Sequence, residues 1–127
     1  MILDTNVLID VMRNNKEAVS KAKKLADKEE PLFITTITVF ELWQGFNPEK
    51  KQKSEKLKEL VSSFGLFPLD IESAEISGKA RKELSSKGLI VSPEDCMIAG
   101  IAIKNNQVLL TKDRHFSRIP GLKTEGY

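Results

Sequence analysis

Four acidic residues of the chain have mainly apolar neighbours, which is unusual for carboxylates. Most of the 18 acidic residues lie in charged segments, where solvation explains them. The exceptions are Asp4 in MILDTNVLID, Glu41 in VFELW, Asp95 directly before CMIAGIAI, and Asp113 shortly after VLLT. Carboxylates in such company are costly unless they are paired, hydrogen-bonded or bound to a metal ion. These four acids are therefore the first candidates for chemistry.

Carboxylates that converge on one place form a site for a hard divalent cation. They repel and raise one another's pKa values unless a cation neutralises them. Clustered oxygen ligands suit Mg²⁺ or Mn²⁺, with water and substrate phosphate completing the coordination shell. Such an ion polarises a phosphoryl group and lowers the pKa of a bound water molecule. The chemistry indicated is metal-assisted hydrolysis of a phosphodiester bond.

Each acid also has a simpler, structural interpretation. Glu41 and Asp95 each stand three residues after a Thr or Ser, which is the spacing of a capping box. In that motif the carboxylate satisfies a free N–H group at a helix N-terminus. Asp4 and Asp113 are also explained as loop acids that accept hydrogen bonds from nearby backbone. These interpretations explain the residues singly but not the set of four.

Short strands alternate with helices along the chain. The predicted strands or extended segments are ILD (2–4), LFITT (32–36), LFPLD (66–70) and QVLLT (107–111). The predicted helices contain NVLIDVMR, KEAVSKAKKLADKEE, TVFELWQGF, the charged segment 47–60, the segment after Asp70, and SPEDCMIAGIAIKN. The C-terminal TKDRHFSRIPGLKTEGY is predicted to be loop and tail. This alternation predicts an α/β sandwich around a short, mostly parallel sheet, whose strand order the pattern does not reveal.

The predicted elements place the four acids at comparable positions. Asp4, Glu41 and Asp113 come at or just after the end of a predicted strand, and Asp95 lies in the first turn of a helix. In open α/β sheets, ligands bind outside the carboxyl ends of the strands, where helices begin. We therefore expect the four carboxylates to meet in one cleft.

The composition favours one domain, residues 1–127, of an ordinary globular protein. The chain is 40% hydrophobic and 30% charged, which is typical of soluble domains. Its longest apolar run, CMIAGIAI, is far too short to span a bilayer, and no segment matches a secretory signal. The single cysteine, Cys96, is predicted to be a small buried hydrophobe. We expect a cytoplasmic protein without membrane contact. Its net charge of +2 permits nucleic-acid binding without requiring it.

Four segments that carry the acids resemble a known family. LDTNVLI (3–9), ELWQG (41–45), DCMIAGIAI (95–103) and LLTKDRHF (109–116) resemble the PIN-domain ribonucleases. They look most like the VapC toxins of bacterial and archaeal toxin–antitoxin pairs. The segments occur in the order of the family and cover nearly the whole chain. The resemblance implies a three-layer α/β/α sandwich and a metal-dependent endoribonuclease.

The resemblance also implies roles for particular residues. The acidic pocket that binds one or two Mg²⁺ or Mn²⁺ ions would be formed by Asp4, Glu41, Asp95 and Asp113. Thr111 matches a hydroxyl position of the family that orients an acid or a water molecule. Asn6 matches a polar residue two positions after the first Asp. Both are equally well explained as turn or cap residues, and Thr5 or Asn6 is predicted to cap the first helix.

Further expectations from the resemblance concern substrate and partners. RNA is the expected substrate, whether tRNA, rRNA or mRNA. A cognate VapB-like antitoxin is expected to block the pocket with a peptide, and the toxin is expected to form a homodimer. Gly100 stands where Ala is commoner in the family, and it should let a neighbour pack closely. His115, the only histidine, is expected to pack the loop together with Phe116 rather than to act as a general base.

Other functions fit the sequence less well or remain open. A phosphatase of the haloacid-dehalogenase type needs an acid two residues after the first Asp, where this chain has Asn6. A phosphoacceptor receiver domain needs an acidic pair near its first strand, which is missing. A PIN nuclease of RNA maturation or decay and a non-catalytic RNA- or protein-binding module remain open. Candidate phosphate contacts that the sequence does not distinguish from other basic residues are Arg13, Arg81, Lys82, Arg114 and Arg118.

Overall fold

The computed structural model describes residues 1–47, 49 and 51–127, with Lys51 described by its backbone only. Pro48 and Lys50, within the predicted charged segment 47–60, lie outside the described residues. The strands are β1 (Ile2–Leu3), β2 (Phe33–Thr35), β3 (Gly65–Phe67), β4 (Leu109–Leu110) and β5 (Thr124–Glu125). The helices are α1 (Thr5–Met12), α2 (Lys16–Asp27), α3 (Thr36–Gln44), α4 (Lys51–Ser62), α5 (Ile71–Ser86) and α6 (Pro93–Lys104), with a 3₁₀ helix at Arg114–Arg118.

The described strands form one parallel sheet in the order β3-β2-β1-β4-β5. The two residues of β1 are central, since Ile2 lies opposite both Phe33 of β2 and Leu109 of β4. Leu3 lies opposite Leu110, so β1 and β4 end side by side. The residues that follow these two strands must therefore emerge next to each other at the carboxyl edge of the sheet.

Helices cover both faces of the sheet. Successive strand residues point to opposite faces, so Ile2 and Leu109 contact one core, whereas Leu3 and Leu110 contact the other. The first core contains side chains of α5 and α6, and the second contains side chains of α1, α2, α3 and α4. The prediction of a three-layer α/β/α sandwich around a parallel sheet is therefore confirmed. None of the helices in the described residues combines the length and apolarity needed to cross a membrane.

Helix α6 lies in the interior, as its uniformly apolar sequence predicts. Ser92 is its N-cap and Pro93 is its first residue, as expected from the sequence. Cys96 is 1% exposed in this helix, which confirms that it is a buried hydrophobe. Because the rest of α6 is held in the core, its first turn, which carries Asp95, has a fixed position.

Two asparagines separate α1 from α2. Asn14 adopts a left-handed conformation (φ 57°), and Asn15 starts α2 by accepting a hydrogen bond from Ala18 N–H. The C-terminal segment is not only loop and tail, since it contains the 3₁₀ helix and β5. Strand β5 pairs with β4 through backbone hydrogen bonds, with Leu109 N–H donating to Lys123 O and Thr111 N–H to Glu125 O.

Candidate active site

Asp4 follows β1 directly and is almost completely buried. It occupies the N-cap position of α1 with an extended backbone, yet its side chain makes no capping hydrogen bond. The prediction that Thr5 or Asn6 caps this helix is therefore wrong. Only 3% of Asp4 is exposed, and its Oδ2 accepts a hydrogen bond from the Thr111 hydroxyl at 2.8 Å. The buried side chain of Asp4 is therefore held by Thr111 rather than by a capping hydrogen bond.

Thr111 connects the ends of β1 and β4. Its hydroxyl donates to Asp4 and accepts a hydrogen bond from the Asp113 N–H at 3.0 Å. Asp113 is the N-cap of the 3₁₀ helix, where its Oδ1 accepts a hydrogen bond from His115 N–H at 2.8 Å. One hydroxyl thus fixes the orientation of Asp4 and the start of the loop that carries Asp113.

Glu41 is not a capping residue. The N-cap of α3 is Thr35, whose hydroxyl oxygen accepts a hydrogen bond from Thr38 N–H at 3.1 Å. Helix α3 therefore begins three residues earlier than the predicted capping box requires, and Glu41 lies beyond its first turn. Its Oε1 accepts a hydrogen bond from the Thr5 hydroxyl at 2.8 Å. The capping interpretation of Glu41 is wrong, and this carboxylate is turned toward α1.

Thr5 is a site residue that sequence reasoning missed, because it was considered only as a cap. It is 5% exposed, and its hydroxyl oxygen lies 3.0 Å from that of Thr38. The only signal in the sequence was a hydroxyl directly after the buried Asp4. Asn6, in contrast, is exposed, and no side-chain hydrogen bond of Asn6 is found among the described residues. Its proposed role stays a prediction.

Asp95 is the third residue of α6 and is half-buried. The Ser92 half of the predicted capping box is present, since its hydroxyl oxygen accepts a hydrogen bond from Asp95 N–H at 3.1 Å. Burial nevertheless raises the pKa of Asp95 to about 6, and the negative charges of Asp113 and Glu41 add to this effect. The helix N-terminus therefore does not neutralise this carboxylate.

Each of the four predicted acids lies within electrostatic range of at least one other. Burial raises the pKa of Asp4 to about 6, the negative charges of Asp95 and Glu41 contribute, and the hydrogen bond from Thr111 opposes the rise. The negative charge of Asp113 raises the pKa of Asp95, so Asp113 also lies near these acids. The acids come from four different elements and act on one another electrostatically. The cleft therefore carries an excess of negative charge in the absence of a cation.

The donor set fits a divalent cation that keeps part of its water shell. All four side chains offer carboxylate oxygens, which hard cations such as Mg²⁺ and Mn²⁺ prefer. In residues 1–47, 49 and 51–127, no three His, Cys, Asp or Glu side chains are grouped so that they could hold a metal ion. Mg²⁺ is usually bound by one or two carboxylates together with water and substrate phosphate, so a closed protein cage is not required.

The raised pKa values predict that the metal-free protein becomes more stable as the pH falls. Both Asp4 and Asp95 have a pKa of about 6 in the folded chain, against 3.8 for an unperturbed Asp. Between these values the folded state binds more protons than the unfolded state, so unfolding becomes less favourable as the pH decreases. Lowering the pH from 7.5 to 5.5 in chelator should raise the free energy of unfolding by about 1 kcal/mol.

Urea unfolding at several pH values measures this effect. The double variant Asp4→Asn/Asp95→Asn serves as the control, because it has no carboxyl group to titrate at either position. Its stability should change less over the same interval. An identical pH dependence in both proteins would contradict the assignment to these two acids.

An open cavity of about 610 Å³ borders Thr111 and Asp113 and extends toward Tyr127. His115 is exposed, with Nδ1 3.0 Å from Asp113 Oδ1. Phe116 is 1% exposed, so it packs the loop as expected, whereas His115 does not. The expectation that both residues pack the loop is thus correct for Phe116 only.

Comparisons with known proteins give a family match and similar relatives over nearly the whole chain. The family described as PIN domain matches residues 1–122. The tRNA(fMet)-specific endonuclease VapC of Shigella flexneri is 32% identical over 131 residues, covering 99% of this chain and 96% of the relative. Ribonuclease VapC2 of Rickettsia felis is 30% identical over 129 residues with the same coverage.

The fold also matches a solved VapBC structure. The crystal structure of DNA-bound VapBC from Salmonella typhimurium superposes with a TM-score of 0.87 at 30% sequence identity, covering 98% of this chain and 96% of that chain. The family match over residues 1–122 and the nearly full-length similarity to these relatives lead to the same family. The chain belongs to the PIN-domain family and, within it, to the VapC-like ribonucleases.

Proposed function

We propose that the chain is a Mg²⁺- or Mn²⁺-dependent endoribonuclease, with residues 1–127 forming one nuclease domain. The observation that carries the proposal is the convergence of four carboxylates from separate elements, two of them with pKa values raised to about 6. Such a cluster destabilises the metal-free fold and is useful only if a cation binds there.

The proposed ligands of one or two ions are Asp4, Glu41, Asp95 and Asp113. A bound ion would polarise the phosphoryl group of the substrate and lower the pKa of a bound water molecule. Hydroxyl groups of the chain orient two of the acids and favour their charged forms. Thr111 donates to Asp4 and Thr5 donates to Glu41, and a hydrogen bond to the charged form of a carboxylate favours that form. These neutral donors counteract the mutual repulsion of the acids without adding a cation of the protein itself.

The proposed substrate and partners follow from the relatives. One is named a tRNA(fMet)-specific endonuclease, and a solved neighbour is a VapBC complex. We therefore propose structured RNA, such as tRNA, as the substrate and a VapB-like antitoxin as the partner. In this proposal the chain acts in the cytoplasm as the homodimeric toxin of a VapBC-type pair.

Cleavage of labelled tRNA by the purified chain tests the nuclease proposal. We expect cleavage with Mg²⁺ or Mn²⁺ and none in excess chelator. Asp95→Asn should lower kcat/KM about 100-fold or more, because it removes a charge that holds the ion. The control is Glu94→Gln, a charge change of the same size one residue earlier in the first turn of α6. It should keep at least half of the activity.

Three results would contradict parts of this proposal. Cleavage that persists in chelator would exclude a metal nuclease, and RNA binding without cleavage at any metal concentration would indicate a non-catalytic binding module. Cleavage without growth arrest on expression would favour an enzyme of RNA maturation or decay over a toxin. Relief of growth arrest by a co-expressed VapB-like protein would support the toxin assignment.

A further inference from the structure

A basic groove leads away from the acidic cleft along α2. It consists of three open cavities of about 610, 500 and 420 Å³ that share walls. The first borders Asp113, and Glu17 and Tyr127 line both the first and the second. Lys16 and Lys24 line both the second and the third. We call this surface the α2 groove, and it is continuous with the proposed active site.

The amphipathic pattern of α2 explains the basic wall of the groove. Ala18 and Leu25, seven residues apart, are the buried residues of the helix. Lys16, Lys23 and Lys24 are spaced by seven and eight residues on the opposite face, and all three are exposed. With a rise of 1.5 Å per residue, these lysines extend over about 12 Å of surface. The helix thus presents a row of positive charges rather than a single one.

The positive charges of the groove are only partly compensated within the chain. Glu17 lies 3.3 Å from Lys112, and Lys21 lies 3.5 Å from Glu125, so these four groups neutralise one another. Within the described part of the chain, no ion pair is found for four exposed cations of the groove: Lys16, Lys23, Lys24 and Arg114. An anionic ligand therefore has several charges to bind.

We propose that the α2 groove binds the phosphate backbone of the RNA strand on one side of the scissile bond. This inference rests on the proposed nuclease function. Without a metal ion, a cleft with four carboxylates repels polyanionic RNA, so cations outside the cleft must supply attraction along the rest of the strand. The groove supplies such cations and reaches Asp113 directly. Its lysines are positioning residues, since they lie away from the reacting phosphate.

Lysine–phosphate contacts have a recognisable thermodynamic signature. Each neutralised phosphate releases condensed counterions, so removing a contact weakens binding and reduces the salt dependence of the dissociation constant. Removal of three lysines should raise the Kd for RNA about tenfold or more near 0.1 M salt and lower the slope of log Kd against log salt by about 2. Because the lysines do not reach the reaction centre, kcat at saturating RNA should stay within about twofold of the parent value.

The test compares two triple variants with the same change in net charge. The first is Lys16→Gln/Lys23→Gln/Lys24→Gln in the groove. The control replaces three lysines that border none of the three cavities, Lys58 of α4, Lys79 of α5 and Lys87 directly after α5, and is Lys58→Gln/Lys79→Gln/Lys87→Gln. Fluorescence anisotropy with labelled tRNA in chelator gives Kd and its salt dependence without cleavage. KM and kcat are then measured with Mg²⁺ or Mn²⁺, after thermal melts have shown that both variants fold.

The proposal is supported if only the groove variant shows the higher Kd, the smaller salt slope and a raised KM. It is overturned if both variants change equally or if neither does. It is also overturned if poly-glutamate competes as well as RNA of equal charge, because the groove would then suit an acidic protein. Absence of cleavage by the parent chain would count against the nuclease function, whereas the binding measurements in chelator would still decide on the groove.

Discussion

Asp4→Asn is expected to abolish RNA cleavage and at the same time to make the metal-free protein more stable. The amide keeps the size of the side chain and an oxygen that accepts the hydrogen bond from Thr111. It removes a charge that the burial of Asp4 disfavours at neutral pH, where the folded pKa is about 6. The free energy of unfolding in chelator should therefore rise by roughly 1–2 kcal/mol.

The effect of Asp4→Asn on activity should be the largest of any single substitution in the cleft. Asp4 is the most buried of the four acids, and an amide is a weaker ligand for a hard cation than a carboxylate. We expect kcat/KM to fall about 1,000-fold or more at saturating Mg²⁺. The measurement is cleavage of labelled tRNA across a range of metal concentrations.

The control for this substitution is Glu59→Gln, which removes an exposed acid of α4. It should leave both activity and stability within experimental error. A loss of several kcal/mol of stability in Asp4→Asn would contradict the expected stabilisation. It would show that the carboxylate of Asp4 stabilises the fold rather than destabilising it.

The position of the acids could be predicted because each one breaks a local pattern. Asp4 interrupts an apolar segment at a strand end, and Asp95 lies at the start of the most apolar helix. The free-energy cost of burying these carboxylates could therefore be inferred from the sequence alone. That they share one cleft followed from the general placement of ligands at the carboxyl ends of parallel strands. The α/β sandwich around a parallel sheet followed from the alternation of strands and helices, and the resemblance to the PIN-domain ribonucleases implied its three layers.

The hydrogen bonds that orient the acids could not be predicted from the sequence. Thr111 and Asp4 are 107 positions apart and meet only because β1 and β4 are neighbours, which no periodicity reveals. Thr5 looked like a cap residue, although its hydroxyl donates to Glu41. In TTIT, residues 35–38, several threonines could start α3, and tertiary contacts select Thr35. Contacts between distant segments thus decide details that local propensity leaves open.

The two-residue strand β5 was missed for a related reason. Thr124 and Glu125 are exposed, and their sequence has neither alternation nor the apolar residues of a buried strand. The strand exists only because β4 offers unpaired backbone groups at the edge of the sheet. The 3₁₀ helix at Arg114–Arg118 likewise depends on its N-cap, Asp113, which sequence reasoning considered only as a ligand or loop acid. The formation of such short elements thus depends on neighbouring groups more than on the propensities of their own residues.

Gly100→Ala should destabilise the fold strongly, because α5 and α6 pack at the distance that a glycine allows. A Cβ at Gly100 would lie 2.0 Å from Ser77 Oγ and 2.5 Å from the backbone oxygen of Ser73. Both serines are buried, and the Ser77 hydroxyl donates to Ser73 O at 2.6 Å, so neither helix has room to give way. We expect a loss of about 3 kcal/mol in the free energy of unfolding.

Gly78→Ala provides the matched control and should have the opposite effect. Gly78 lies on the exposed face of α5, and a Cβ there would meet no atom within 4 Å. Alanine has the higher helix propensity, so the protein should gain roughly 0.5–1 kcal/mol. Urea unfolding of the two variants side by side separates the close approach of the helices from the general effect of replacing a helical glycine.

A double variant shows which contact limits the approach at Gly100. Ser77→Ala removes the Oγ atom at 2.0 Å but leaves the backbone oxygen of Ser73 at 2.5 Å, so it should restore only part of the stability of Gly100→Ala. Because α6 carries Asp95 in its first turn, the same displacement should lower RNA cleavage. A Gly100→Ala variant with the stability of the parent would mean that α5 and α6 separate at little cost.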